Sequence, residues 1–354
     1  MSVAGRLKRL VASALGRKTP PAVEASADAP RVAPPFPHYI CMELTNACNL
    51  RCIQCIYQGG KGDHYRGQIG YMDVDLARRV LDQLQPTRCG VMLNGDGEAL
   101  LHPKFQVIAR HAVSLGLSSV YFNTNGTLLS REFTDEFVTY FKGAVSISLD
   151  GFKESHDRIR RGSSYDKVVA NIDYLLARIG ETGAPITLSA AYCNYDQPKG
   201  ERLEFAKYWT QRLGSVSVCE VYDQDYRIIS DQINKPQKPD RVRCGVPWET
   251  FIVRWQGPVV PCSNCFPLGD AGGIVLGDSR TQTLLDIWNG PVLADLRRRT
   301  EAWDLEGTIC QPCERWNMYV TLDPREEEGM MVTRTGVFST YKRKDPAPDA
   351  PGGH

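Results

Sequence analysis

Six times between residues 38 and 223, a short apolar, β-branched run is followed by a longer stretch. In five of those longer stretches apolar residues recur every three or four positions. No other feature narrows the fold of this chain as far. The short runs are HYICMEL (38–44), CGVMLN (89–94), SVYFNT (119–124), AVSISLD (144–150), ITLSAAYC (186–193) and SVSVCEVY (215–222), and each predicts a strand. The spacing predicts helices over 73–85 after Asp73, 104–115 ending at Gly116 and 130–141 after Ser130. Two more are expected over 164–179 ending at Gly180 and over 200–213 ending at Gly214. Ser and Asp satisfy free N–H groups where a helix starts, and Gly takes the left-handed conformation that ends one. Repeated βα units imply an α/β fold with a parallel sheet covered by helices, either curved like a barrel or open and doubly wound. In both, ligands bind at the C-terminal ends of the strands.

Composition sets the remaining bounds. The 354 residues are 42% hydrophobic and 23% charged, which suits a sizeable core and about two domains. Lys plus Arg is 42 against 41 Asp plus Glu, so there is no basic excess for phosphate neutralisation and no nucleic-acid partner is expected. No apolar run approaches the roughly 18 residues of a spanning helix, so no transmembrane segment is expected. The N-terminus, MSVAGRLKRLVASALGRK, interrupts its apolar residues with Arg6, Lys8 and Arg9 and has no continuous signal-peptide core. A reducing, cytoplasmic location follows as the expectation. There, 12 cysteines read as metal ligands or redox groups before they read as a disulfide framework.

The expected organisation has five parts. Residues 1–37 are a basic amphipathic segment and a Pro/Ala-rich linker, and 38–223 form the α/β core. Residues 224–243 are a linker, 244–320 a small Cys-rich domain and 321–354 a tail.

Directly after the first strand, CNLRCIQC places Cys48, Cys52 and Cys55 in a C-x3-C-x2-C run. Structural zinc sites combine paired C-x2-C units and close four protein ligands, whereas no fourth Cys or His lies in this loop, His64 being nine residues beyond Cys55. Iron–sulfur clusters are held by thiolates at such spacings, and a cubane with three protein ligands leaves one iron open to a small molecule. The run resembles the signature of the radical S-adenosylmethionine (radical SAM) superfamily, which follows the first strand of a partial (β/α)6 TIM-like barrel. The resemblance implies a 4Fe–4S cluster on Cys48, Cys52 and Cys55 that chelates SAM and cleaves it to a 5′-deoxyadenosyl radical. An external electron donor such as flavodoxin or ferredoxin is implied with it. GDGEALL (95–101) looks like the family's GGEPLL segment, which holds the SAM amino group, and points to Gly97 and Glu98. TNG (124–126) and SISLDG (146–151) resemble segments near the SAM ribose and methionine, making Asn125, Ser148 and Asp150 candidates. Arg160 sits like a basic residue that contacts the SAM carboxylate. Gln54 stands where the family usually has an aromatic residue, and Asp96 and Ala99 replace its Gly and Pro.

A second group comprises Cys244, Cys262, Cys265, Cys310 and Cys313. Two C-x2-C pairs read on their own as a four-cysteine zinc site. With RCGVPWETFIVRWQGPVVPC, LLDIWNGP and CQPC around them, they resemble the auxiliary-cluster domain of SPASM and twitch radical SAM enzymes. That resemblance implies an auxiliary 4Fe–4S cluster on Cys244, Cys262, Cys310 and Cys313, with Cys265 spare. No cysteine follows Cys313, which favours the single-cluster twitch form. The chemical use of such a cluster is to accept the electron that a substrate radical must lose on oxidation.

Cys41, Cys89, Cys193 and Cys219 lie in strands, where free cysteine reads as a small core residue. Cys193 ends the fifth strand on the ligand rim and is a candidate hydrogen-atom donor. Asp150, Asp223 and Asp225 are the candidate bases. Tyr192, Tyr195, Tyr222 and Tyr226 are candidate pocket aromatics. The expected activity is a radical SAM oxidoreductase that dehydrogenates or epimerises a small molecule, such as an aminocyclitol, sugar or other secondary-metabolite intermediate. A ribosomal peptide maturase, and a non-catalytic zinc or iron–sulfur binding protein, are the alternatives.

Overall fold

A computed structural model describes residues 31–344 apart from 56, 59–67, 88, 221–240, 266–272, 312, 314–315, 317–323 and 336–337. The basic segment 1–18, His64, Tyr222, Asp223, Asp225, Tyr226 and most of the 224–243 linker lie outside the described residues.

The six expected strands form as β1 (Tyr39–Met42), β2 (Gly90–Met92), β3 (Val120–Thr124), β4 (Gly143–Ser148), β5 (Ile186–Asn194) and β6 (Ser215–Glu220). They pair in parallel in the order of the chain. Right-handed crossovers between strands laid down in one direction put every helix on the same face. That is the winding of a partial (β/α)6 barrel, and it decides against the doubly wound sheet.

Alternation along each strand separates the two faces. In β5, Ile186, Leu188, Ala190 and Tyr192 are buried in the core, whereas Thr187, Ser189, Ala191 and Cys193 are exposed or half-buried. Ile40, Met42, Val91, Val120, Phe122, Val145, Ile147, Val216 and Val218 join the same core, which therefore lies between sheet and helices. Phe122 anchors it with edge-on contacts to Phe105, Phe137 and Phe141 at 5.0, 5.8 and 5.6 Å. The opposite, concave face carries Met92 and Tyr121 among mostly small or polar side chains such as Asn123, Ser146, Ser148, Ser189 and Ser217.

Helices Val74–Asp82 and Arg131–Phe137 begin at the expected caps, Asp73 accepting from the Asp75 and Leu76 N–H groups and Ser130 from that of Phe133. Helix Tyr165–Thr182 runs past the expected stop at Gly180. The left-handed residue that ends it is Gly183, with φ 65°. Helix Lys153–Ile159, capped by Arg160, had no periodic signal.

Both ends of the sheet are extended. β7 (Ile252–Val253) pairs parallel to β1 and continues into antiparallel β8 (Pro258–Val260) and β9 (Gly277–Asp278), so the Cys-rich region is built onto the core sheet. Its hairpin turns at Gly257, φ 114°, where a Cβ would stand 2.7 Å from Arg280. On the other side β12 (Phe338–Arg343) pairs antiparallel to β6 and carries β11 (Met330–Arg334) and β10 (Arg325–Glu327). This corrects the expectation of a tail over 321–354. Met330, Val332 and Tyr341 are buried on one face of these strands, Arg325 and Arg343 standing at its edges opposite Val332 and Met330.

Candidate active site

The loop after β1 is fixed before its cysteines begin. Asn46, 1% exposed, donates to the Gln68 carbonyl and accepts from the Gly70 N–H, at 2.8 and 2.9 Å. Leu50 is buried, and the Arg51 and Ile53 N–H groups donate to the carbonyls of Arg161 and Ile159, each at 2.9 Å. Cys48, Cys52 and Cys55 are left half-buried around this anchored turn. The Leu50 N–H donates to Cys48 Sγ at 3.5 Å, and the Gln58 N–H to Cys55 Sγ at 3.2 Å. Three thiols on one loop, two of them already receiving backbone N–H groups, are the donor set of an iron–sulfur cluster. Among the described residues no three Cys, His, Asp or Glu side chains converge on a single ion. A cubane is wider than one ion and spreads its thiolates further apart. Burial raises the Cys48 thiol and pushes Cys52 up to about 11, with Arg160 pulling Cys52 the other way.

Asp150 gathers the surroundings of this loop. Its carboxylate is 0% exposed and stands 2.9 Å from Arg160 Nε. It accepts from Gln54 Nε2 at 2.6 Å and from the Cys193 N–H at 2.7 Å. Both oxygens of this candidate base are therefore engaged by neighbouring groups. Gln54, the departure from the family's aromatic residue, ties the cysteine loop to β4.

Glu98 links the two motif loops. Its carboxylate accepts from Thr124 Oγ1 at 2.8 Å, the Asn125 N–H at 2.7 Å and the Leu100 N–H at 3.2 Å, and burial raises its pKa. Asn125 Nδ2 reaches on to Asn49 Oδ1 at 2.8 Å, inside the cysteine loop. Gly97 packs against the chain after β1, where a Cβ would be 2.3 Å from the Ala47 carbonyl oxygen. A side chain there would push the two loops apart. Gly97, Glu98, Asn125, Asp150 and Arg160 therefore form one connected set with Cys48, Cys52 and Cys55, and half-buried Ser148 ends β4 beside it.

Cys193 and Cys219 face each other across β5 and β6 with their sulfurs 3.3 Å apart. The hydrogen bond to Cys219, then burial, raises the Cys193 thiol. Both lie half-buried on the concave side, so neither is the core residue that a strand cysteine suggests. Tyr192 is instead fully buried against Phe205, with ring centroids 4.9 Å apart, which removes it from the pocket aromatics.

Cys244, Cys262, Cys310 and Cys313 line one cavity of about 760 Å³, open mouth included, with Pro247, Leu296 and Trp303 around them. Cys265 is 1% exposed and packs with Ile252 and Val260, hydrogen-bonded to Cys262. The four cysteines of the cavity thus include Cys244 and leave Cys265 aside, which favours the auxiliary-cluster set over the paired C-x2-C reading. Burial pushes the Cys244 and Cys310 thiols up to about 12. The two cysteine regions touch: Tyr57, two residues after Cys55, donates its hydroxyl to the Ser263 carbonyl at 3.4 Å, next to Cys262.

Residues 42–188 match the family model of the radical SAM superfamily, and 244–314 that of the SPASM iron–sulfur cluster-binding domain. The tungsten-containing aldehyde ferredoxin oxidoreductase cofactor-modifying protein of Pyrococcus furiosus is 33% identical over 295 residues, 71% of this chain and 80% of that protein. Mycofactocin maturase MftC of Mycobacterium tuberculosis is 31% identical over 152 residues, 42% of this chain and 37% of its own length. Among solved structures, Streptococcus suis SuiB bound to precursor peptide SuiA aligns with a TM-score of 0.60 at 13% identity, over 75% of this chain and 67% of SuiB. At that identity the likeness is one of fold. Among the described residues no helix is long and apolar enough to cross a membrane.

Proposed function

The chain belongs to the radical SAM superfamily and carries its SPASM iron–sulfur domain, and from that premise we propose that it dehydrogenates a small polar molecule on the concave face of its sheet. It binds SAM and 4Fe–4S clusters. When bound, the first cluster supplies the electron that cleaves SAM to a 5′-deoxyadenosyl radical, which abstracts a substrate hydrogen atom. Cys48, Cys52 and Cys55 would hold that cluster, and an external low-potential protein such as flavodoxin or ferredoxin would supply its electron. Gly97 and Glu98 shape the loop that would receive the SAM amino group, and Arg160, held by Asp150, would contact its carboxylate. Asn125 locks the third strand's loop onto the cysteine loop. Half-buried Ser148, Ser217 and Cys193 offer hydroxyl and thiol groups to a polar substrate.

The observation that carries the oxidative reading is the Tyr57–Ser263 contact. It sets the radical-generating loop against the domain whose Cys244, Cys262, Cys310 and Cys313 hold an electron acceptor. Return of a hydrogen atom by Cys193 is disfavoured because its thiol already bonds Cys219. A peptide substrate is the second reading, favoured by the likeness to MftC. The two separate on how a cell extract stimulates 5′-deoxyadenosine formation by the reduced enzyme. Stimulation by a protease-treated ultrafiltrate supports the small molecule, and stimulation that protease destroys supports the peptide. The cytoplasm, with its low-potential donors, is the compartment that suits this chemistry.

A further inference from the structure

Three charged side chains from three separate segments meet beneath the 95–98 loop. Glu43 follows β1, Asp96 lies in GDGE, and Arg254 follows β7 in the Cys-rich region. Their side chains are 0, 3 and 2% exposed. Arg254 Nε is 2.9 Å from Glu43 Oε2, and its Nη1 donates to Asp96 Oδ2 at 3.2 Å. Glu43 also accepts the N–H groups of Asp96 and Trp255, each at 3.3 Å. Cys41, whose thiol donates to the Asn94 carbonyl at 3.0 Å, faces the trio from β1.

Two carboxylates thus share one guanidinium away from water. Burial raises both, the Glu43 charge raises Asp96 further, and Arg254 opposes the rise. The loop above has no slack. A Cβ on Gly95 would stand 2.3 Å from Glu43 Cγ, and one on Gly97 would meet the backbone after β1. Repulsion between Asp96 and Glu43 would be relieved by lifting the 95–98 loop, and Arg254 prevents that. Removing one partner from a buried ion pair leaves an uncompensated charge and is far more costly than losing an exposed pair.

We propose that Arg254 is a positioning residue through which the iron–sulfur region sets the core's affinity for SAM, by neutralising Asp96 and Glu43 and so holding the 95–98 loop down. This rests on the reading that Gly97 and Glu98 contact SAM.

The test is the dissociation constant of methyl-radiolabelled SAM, measured by equilibrium dialysis on the reconstituted anaerobic enzyme without reductant, so that nothing turns over. Arg254→Met is expected to weaken binding by about tenfold or more near pH 8. The ratio to wild type should shrink towards about pH 6, because protonation neutralises the two facing carboxyls. The double variant Arg254→Met/Asp96→Asn, which removes one of those charges, is expected to recover most of the lost affinity. Arg254→Lys keeps the charge and loses the planar fork, so it should fall between wild type and Arg254→Met, and it is the milder variant for folding. Iron content is measured on each protein. Wild-type affinity in Arg254→Met, a loss equal at both pH values and not recovered by Asp96→Asn, or Lys no better than Met would each overturn the proposal. Glu98→Gln keeps the underlying reading separate. If it binds SAM as wild type does, the loop's contact with SAM is what fails, whatever Arg254 does.

Discussion

Arg160 and Asp150 form an ion pair at 2.9 Å, with side chains 10 and 0% exposed, and it joins the end of β4 to the segment that backs the first cysteine loop. Arg158, two residues earlier, makes a 2.7 Å pair with Asp196 whose side chains are 46 and 51% exposed. The geometry is similar and the surroundings are opposite. Asp150→Ala strands a buried guanidinium and is expected to cost about 3–5 kcal/mol, whereas Asp196→Ala is expected to cost about 0–1 kcal/mol. Anaerobic urea unfolding of the two variants against wild type checks this, and equal losses would contradict the positioning role of Asp150.

Oxidation and epimerisation differ in the fate of one hydrogen. A dehydrogenation product is two hydrogens lighter and carries no solvent label on the reacting carbon. A thiol exchanges its proton with solvent, so return of a hydrogen atom by Cys193 would place one deuterium on the product from deuterated buffer. The expected result is the lighter, unlabelled product, with Cys193→Ala cleaving SAM as wild type does. A product one mass unit heavier than the substrate, carrying solvent deuterium that disappears in Cys193→Ala, would reverse that reading.

Metal loading should depend on pH in one direction. Burial raises Cys52 to about 11 and Cys244 and Cys310 to about 12, so these thiols are protonated in the metal-free protein near neutrality. Each must lose its proton to become a ligand, so loading strengthens as pH rises. Anaerobic reconstitution with iron and sulfide is expected to be more complete at about pH 8.5 than at about pH 7, with protons released in a pH-stat. Loading that is indifferent to pH would argue against thiol ligation.

The second cysteine set has its own test. Cys313→Ala is expected to spare reductive SAM cleavage and stop product formation, because the acceptor is needed only after hydrogen abstraction. Full turnover by a folded Cys313→Ala protein would contradict the role given to that region.

Much of this arrangement was legible in the sequence because it depends on local pattern. Alternating apolar residues such as Ile186, Leu188 and Ala190 specify a strand whatever lies around it, and the spacing of Cys48, Cys52 and Cys55 specifies one wrapped loop. Helix ends were less certain, since Gly180 and Gly183 compete as stops and only backbone conformation chooses between them. Strands β10 to β12 carry little apolar alternation, because Arg325, Glu327, Arg334 and Arg343 share the face on which Met330, Val332 and Tyr341 are buried. The pairing of Asp96 with Arg254, 158 residues apart, leaves no periodic trace. Its one signal was Asp96 itself, a carboxylate where the motif has glycine. Gln54 likewise looked like a departure and proved to be a hydrogen-bond partner of Asp150.

Anaerobic incubation of the reduced, reconstituted enzyme with SAM, followed by quantifying 5′-deoxyadenosine, tests the central assignment most directly. The wild-type chain should release 5′-deoxyadenosine and methionine in equal amounts. The Cys48→Ala/Cys52→Ala/Cys55→Ala protein should release neither while keeping the iron absorbance of its second cysteine set, since separate loops build the two sites. Continued formation of 5′-deoxyadenosine by that triple variant would contradict the assignment.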